Sequence, residues 1–397
     1  MKNSTKAIHT PYPKKDPYGA LSMPVYDCLA YEFADHKQMA DAFCGVTNEP
    51  DYSRVTNPTV IHLENIVKNL TNANDVIAFN SGMAAISGTL MALLESGKKV
   101  VSSRHLFGNS YLLLTRTLKR FGVETELVDL TDLEEVRRTV DENTACIFLE
   151  TVSNPQMEVA DLAALAEIAH GVGAALVADS TMIPFTHADI HKSGVDIEIV
   201  SSTKYLSGGA TSLGGLVIDY GTVAGFSTMI RKDVLMNFGG YMTTHPAYMQ
   251  TLGLETLHAR YSMQQTNAMY LAKCLSEMPD VKVCYPGLPD NQFHEICNRQ
   301  FDGNYSAMLT ISLPSEEACY RFIDNLQIVK RATNLFDNRT LAIHPYSTIF
   351  GPIPEETRKE MNISPRLIRL SVGLEDAEDV FEDIANAIEK SKQNVNI

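Results

Sequence analysis

A mostly parallel α/β sheet with helices on both faces, followed by a smaller α/β domain, is the architecture that this 397-residue chain predicts. Three observations predict it. Short apolar runs alternate with longer amphipathic ones through most of the chain. The runs are β-branched and nearly continuous, as strands covered on both faces are. After the turn-rich stretch PGLPDNQ (286–292) the pattern changes to two further apolar strands flanked by helices.

The elements follow in chain order. Residues 1 to 57 are rich in Pro, Tyr, Asp and Gly, show weak periodicity, and are expected to form an extended arm. A helix is expected from Asn57-Pro58, with Pro58 suited to its first turn. VIAF (76–79) then leads to MAAISGTLMALLE, KVVSS (99–103) to SYLLLTRTLKRF, ETELVD to LEEVRRTV, and ACIFLE (145–150) to DLAALAEIAHG. AALVAD (174–179) leads to a loop, and DIEIVSS (196–202) and GGLVIDY (214–220) complete the series. Helical segments are expected between about 224 and 278. Beyond them, AMLTISL and LIRLSV read as strands, with helices near 315–326 and 376–391.

Composition excludes several classes. Net charge is −15 with no cluster of Lys and Arg, so a nucleic-acid partner is not expected. The N-terminal stretch MKNSTKAIHTPYPKKDPYG lacks the apolar segment of a signal peptide, and no apolar run approaches the roughly 20 residues of a membrane span. The seven cysteines form no CxxC pair and their number is odd, which fits reduced thiols in a cytoplasmic protein. No metal site is expected.

In an open α/β sheet, ligands bind beyond the carboxyl ends of the strands. The residues just after each apolar run therefore carry the functional signal. Ser81-Gly82-Met83, after VIAF, is a strand-to-helix turn. It is either a plain tight turn or a phosphate site, because free N–H groups and the helix dipole point the same way. GVGAAL (171–176) has glycines in a nucleotide-like spacing but follows a helix and enters a strand, the wrong order for a dinucleotide fingerprint. Asp179 ends AALVAD, where a carboxylate meets a positive charge or a protonated heterocycle, or else caps the following loop. In SSTKYLSGGATSLGG (201–215), Lys204 lies among hydroxyls and glycines. A partly desolvated amine there favours nucleophilic chemistry such as Schiff-base formation, and the glycines are expected to clear space for a bulky partner. A phosphate cradle (Gly82, Met83, Ser201, Thr203), a carboxylate and an amine at successive strand ends match what pyridoxal 5′-phosphate requires.

Seven motifs in order, YSRVTNPT (52–59), NSGMAAI (80–86), ETVSNP (150–155), ADST (178–181), SSTKY (201–205), IHPYST (343–348) and LIRLSVGLED (367–376), span nearly the whole chain. With them the sequence resembles the Cys/Met-metabolism (trans-sulfuration) family of pyridoxal-phosphate enzymes, of the aspartate-aminotransferase-like fold type I. That family includes O-acetylhomoserine sulfhydrylase, methionine γ-lyase, cystathionine γ-synthase and the cystathionine lyases. The resemblance implies a division into an arm exchanged between subunits (1–57), a large cofactor-binding domain (58–255), and a linking helix with a C-terminal domain (256–397).

It also implies roles. Lys204 resembles the lysine that carries the cofactor and shuttles protons. Asp179 resembles the partner of the pyridine nitrogen. Gly82, Met83, Ser201 and Thr203 resemble the phosphate cradle. Thr181 and Phe107 are implied as further cofactor contacts. Tyr52 and Arg54 resemble the pair that reaches the phosphate in the neighbouring subunit, which implies a homo-oligomer, a tetramer built from dimers with shared sites. Asn154 resembles the residue near the cofactor's phenolic oxygen and the substrate carboxylate, and Arg369 the arginine that grips that carboxylate in bidentate fashion. Asn334 is implied as a substrate contact.

Two departures from the family pattern bear on the reaction. The family usually stacks a tyrosine on the cofactor ring; HLFGNSY places Phe107 there, with Asn109 two positions on. Phenylalanine stacks but neither gives nor takes a proton, so Tyr52, Tyr111 or Lys204 is left to supply that function. The Gly-His pair common after the lysine in lyases is replaced by SGGATSLGG, and NLFDNRTLAIHPYST (334–348) has Asn334 where many lyases have serine. Both lean toward the sulfhydrylase branch. The expected activity is γ-replacement on an activated homoserine ester by sulfide or a thiol, forming homocysteine or methionine. The alternatives are a carbon–sulfur lyase releasing a 2-oxo acid, ammonia and a thiol, and a cofactor-binding protein without turnover or acting on an unrelated amino acid.

Overall fold

The computed structural model describes residues 1–47 and 49–392. The apolar runs become strands β1 (Asp75–Phe79), β2 (Lys99–Ser103), β3 (Glu124–Val128), β4 (Thr144–Glu150), β5 (Ala175–Asp179), β6 (Ile197–Val200) and β7 (Gly215–Asp219). Among the described residues they form a seven-stranded sheet in the order β1-β7-β6-β5-β4-β2-β3. β6, β5, β4, β2 and β3 pair in parallel, whereas β7 runs antiparallel to both β6 and β1. The carboxyl ends of β1, β4, β5 and β6 therefore lie at one edge, where β7 begins.

Alternation along each strand divides the core between two faces. Ile147, Leu149, Leu176 and Ala178 pack on one side, and Cys146, Phe148, Val177 and Ile199 on the other. Both faces are covered, which is why the strands read as continuous apolar runs.

The second sheet contains β8 (Lys282–Cys284), β9 (Met308–Ser312), β10 (Lys330–Arg331), β11 (Leu341–Ile343) and β12 (Leu367–Ser371), in the order β10-β11-β12-β9-β8. The Glu316–Asn325 and Ala377–Lys392 helices contribute Ala318, Phe322, Val380 and Ile384 to its core. The 33-residue Thr244–Ser276 helix joins the two sheets and runs through the 255/256 boundary.

Local structure departs from expectation in the arm, which contains two short helices, Asn3–His9 and His36–Phe43. The second has a start signal that hydropathy alone does not show. Asp35 accepts from the Gln38 N–H, and Gln38 accepts in turn from the Ala34 N–H, a variant of the capping box. Elsewhere the arm is irregular and anchored by side chains: Asn57 donates to the Tyr26 carbonyl, and Thr244 to Asp27.

Candidate active site

The site begins where β1 turns into the Gly82–Leu93 helix. Ser81 caps that helix by accepting from the Ala84 N–H. The N–H groups of Gly82 and Met83, in the first turn, have no acceptor within the helix. A Cβ on Gly82 would lie 2.7 Å from both Cβ and Oγ of Ser201, so the helix start and the loop after β6 close on each other only because residue 82 is glycine. Two free N–H groups, a helix dipole and the Ser201 hydroxyl thus meet around one small space, which suits a phosphate. The Thr203 hydroxyl is placed differently. It donates to the Gly214 carbonyl at 3.1 Å and accepts from the Gly214 N–H at 3.0 Å, so it braces the loop.

The glycines after Lys204 do not clear room for a ligand as the sequence led us to expect. Gly208 and Gly209 have φ of +71° and +126°, conformations that other residues resist. A Cβ at Gly214 would strike Gln250 and Ser202, and one at Gly215 would strike the Ser81 carbonyl. The chain's own turn and close packing fill that space.

Asp179 ends β5, is 9% exposed, and accepts from the Thr181 N–H at 2.9 Å. Burial raises its pKa, with Thr181 and Lys204 opposing. Thr181 links strand ends by accepting from the Ser201 N–H at 2.8 Å. Lys204 follows β6, and its Nζ donates to Asn334 Oδ1 at 3.0 Å. Burial, with Arg369 nearby, brings its pKa down to about 8, while Asp179 pulls the other way. An amine with a lowered pKa beside a carboxylate with a raised one suits an aldehyde on a protonated heterocycle.

Arg369, on β12, completes the group from the second domain. It is 2% exposed and donates through Nη1 to Asn154 Oδ1 at 3.1 Å. Its Nη2 donates to the carbonyls of Thr333 and Asn334 at 3.1 and 3.3 Å. Its Nε is buried without a partner among the described residues, and burial lowers the guanidinium's pKa. An orphaned guanidinium N–H in a site with no paired carboxylate fits an incoming carboxylate.

Glu150, the first residue of ETVSNP, lies among these groups although its sequence motif assigns it no role. It ends β4 in register with Asp179 and accepts from the N–H groups of Phe107 and Asn154. A carboxylate closing the apolar run ACIFLE is the same signal that marked Asp179.

Tyr52 and Arg54 remain in the arm. Tyr52 is 40% exposed, and the Arg54 guanidinium lies 5.7 Å from its ring centre and donates to the Met236 carbonyl. Tyr111 packs its ring against the Phe350, Ile353 and Met361 cluster, and burial, with Glu360 adding to it, raises its pKa. Among the described residues no cluster of His, Cys, Asp and Glu could hold a metal, and no helix is long and apolar enough to cross a membrane.

A mostly parallel sheet with a lysine, a carboxylate and a phosphate-sized cradle at its strand ends defines a fold type I pyridoxal-phosphate enzyme. The profile of the family described as Cys/Met metabolism PLP-dependent enzymes matches residues 4–389, and the chain belongs to that family. The chain is 36% identical over 391 residues to an L-methionine γ-lyase of Fusobacterium nucleatum, covering 97% of this chain and 98% of that one. It is 35% identical over 379 residues to an O-succinylhomoserine sulfhydrylase of Pseudomonas aeruginosa, covering 94% and 92%. The crystal structure of an O-acetylhomoserine (thiol)-lyase of Campylobacter jejuni, carrying a pyridoxyl-lysine monophosphate, superposes with a TM-score of 0.94 at 32% identity, covering 98% and 100%. The chain is thus a pyridoxal 5′-phosphate-dependent enzyme of sulfur amino-acid trans-sulfuration.

Proposed function

We propose that this enzyme catalyses γ-replacement on an activated homoserine ester, taking sulfide or a small thiol to form homocysteine or methionine. One observation carries the choice. Phe107 offers no hydroxyl, and the Tyr111 ring is packed against the Phe350, Ile353 and Met361 cluster. A carboxylate leaving group departs without a proton, whereas a thiolate gains from an acid. A site whose position 107 carries no phenol suits the ester.

Bound pyridoxal 5′-phosphate supplies an electron sink for negative charge at the substrate's α carbon. On this reading Lys204 removes the α proton and then works at the β carbon, as an amine near pKa 8 can do in both directions. Asp179 keeps the pyridine nitrogen protonated. Gly82, Met83 and Ser201 hold the phosphate, with Thr181 and Thr203 fixing the loops around it. Phe107 stacks on the ring, and Arg369, with Asn154 and Asn334 behind it, orients the substrate carboxylate.

The exposed arm supports a homo-oligomer in which Tyr52 and Arg54 reach a neighbouring subunit's phosphate. Leu21 is 99% exposed and Phe43 60%, apolar surface that a second copy would cover. We assign the arm (1–57), cofactor domain (58–255) and linking helix with C-terminal domain (256–397) accordingly, and a cytoplasmic setting for the enzyme.

A carbon–sulfur lyase is the second reading. The Fusobacterium nucleatum relative favours it, as does a Lys204 amine able to protonate a leaving thiolate. The deciding experiment supplies the holoenzyme with O-acetyl-L-homoserine plus sulfide and, separately, with L-methionine alone. Homocysteine from the ester with little 2-oxobutyrate from methionine is expected; abundant 2-oxobutyrate overturns the proposal.

A further inference from the structure

One continuous hydrogen-bonded path runs through the site. Lys204 Nζ donates to Asn334 Oδ1, and the Asn334 carbonyl accepts from Arg369. Arg369 donates to the Asn154 side chain. The Asn154 N–H donates to Glu150 Oε2 at 3.1 Å, and Glu150 Oε1 accepts from the Phe107 N–H at 2.7 Å. The first half joins the amine to the carboxylate clamp. The second half joins that clamp to the backbone of Phe107, and among the described residues Glu150 is its side-chain link.

We propose that Glu150 is a positioning residue whose two carboxyl oxygens hold the Phe107 ring in register with the Asn154–Arg369 clamp. Phe107 occupies the cap position of the Gly108–Leu112 helix and has no side chain able to cap it. Glu150 accepts the N–H of that cap residue, the task that a capping-box glutamate performs from within its own helix. Here the glutamate belongs to a neighbouring strand, so the ring's seat is tied to the sheet edge. The other oxygen ties the turn that carries Asn154, and Asn154 is the residue against which Arg369 is braced. Movement of either loop pulls on the same carboxyl group.

Burial and the adjacent Asp179 push the Glu150 carboxyl up to about 8. The Phe107 and Asn154 N–H bonds oppose that rise, because they favour the charged carboxylate. No cation pairs with Glu150 among the described residues, so an ion pair does not account for it.

The inference rests on Arg369 being the carboxylate clamp and Phe107 the ring contact, so the test separates the two levels. Measured above pH 8, where Glu150 is the carboxylate, Glu150→Gln keeps the shape but offers one acceptor oxygen and an amide that opposes the other N–H. In the holoenzyme we expect kcat/KM for the amino-acid substrate to fall about 10- to 100-fold, the scale set by misplacement of a reacting group by about 1 Å. The fall should appear in kcat as well as KM, and the visible circular dichroism of the bound cofactor should change. A lowered Tm with kcat, KM and dichroism unchanged would show a purely structural residue and overturn the proposal, as would no change at all. Arg369→Lys, run alongside, should act mainly on KM; if KM does not move, the clamp reading fails, and the dichroism of Glu150→Gln still judges its hold on the ring. If Glu150→Gln does not fold, hydrogen exchange on the wild-type holoenzyme decides. Glycine, a substrate with the carboxylate but no leaving group, should slow exchange at both the 104–110 and 150–156 segments. Protection at 150–156 alone would overturn the coupling.

Discussion

Replacing Gly82 by alanine tests the phosphate cradle at its tightest point. The new Cβ would lie 2.7 Å from Ser201 Cβ and Oγ and 3.1 Å from Ser201 Cα. Non-bonded carbons settle at about 3.5–4.0 Å, so the helix start and the loop after β6 must separate by about 1 Å. Overpacking of this kind costs about 1–3 kcal/mol. Both walls of the cradle are the groups that move, so most of that cost should appear as lost cofactor affinity. At 1.4 kcal/mol per decade, the dissociation constant should rise about 5- to 100-fold. The assay is a visible-absorbance titration of apoenzyme with pyridoxal 5′-phosphate, accompanied by thermal unfolding. Gly88→Ala is the matched control: its Cβ would lie 2.9 Å from the Phe79 ring, in the same helix but away from the cradle. Gly88→Ala should lower stability and leave affinity alone. If Gly82→Ala binds the cofactor as wild type does while losing stability like Gly88→Ala, the cradle is elsewhere and the reasoning fails.

Further outcomes follow from the same geometry. Lys204 reacts as the neutral amine, so cofactor capture by apoenzyme should accelerate as pH rises and level off above its pKa of about 8. At pH 7 only about a tenth of the amine is neutral, and a rate still climbing past pH 9 in stopped-flow absorbance would contradict that value. Phe107→Tyr should restore an acid beside the leaving group and raise 2-oxo acid formation from a thioether at least about tenfold, since such assistance is worth roughly 10²–10⁴. An unchanged ratio of elimination to replacement would remove residue 107 as the discriminator. Mixing inactive Arg54→Ala and Lys204→Ala subunits should regain up to about a quarter of wild-type activity, because half of randomly paired dimers keep one intact shared site. Complete silence would place Arg54 in its own subunit's site.

The strands were legible because their two periodicities, helical and fully buried, differ so sharply. Residues 145–150 and 174–179 read as continuous apolar runs because each sheet face is covered, and the structure places β4 and β5 there. Asp179 and Lys204 stood out for the related reason that charge at the end of such a run needs an explanation. Glu150 has the same signature yet carried no role, because its partners are backbone N–H groups and backbone leaves no mark in sequence. The glycines after Lys204 pack against the chain for a reason the sequence does not show. Glycine marks either room for a ligand or a close approach of the chain to itself, and only coordinates distinguish Gln250 and Ser202 from an empty volume. The helix at His36–Phe43 was hidden because its start lies in Asp35 and Gln38, while Met39 and Phe43 stay exposed and give no inward stripe.

Three groups in the site share one imbalance, and it explains why they are assembled. Asp179 is buried with its pKa raised, Lys204 is buried with its pKa lowered, and Arg369 is buried with its pKa lowered and Nε unpartnered. Each shift means that the charged form lacks the counter-charge its burial demands. On the proposed assignment the ligands supply what is missing: a protonated ring nitrogen to Asp179, an aldehyde that consumes the neutral amine of Lys204, a carboxylate to Arg369. The protein therefore holds electrostatic cost in the free state that binding relieves, and the relief is specific in sign at each position. A cation beside Arg369, or an anionic ligand added beside Asp179 and Glu150, would deepen the imbalance instead. Placing the three on β5, on the loop after β6 and on β12 makes that relief depend on both sheets standing in their present register, so on the proposed assignment an α-amino acid would be gripped between the two sheets.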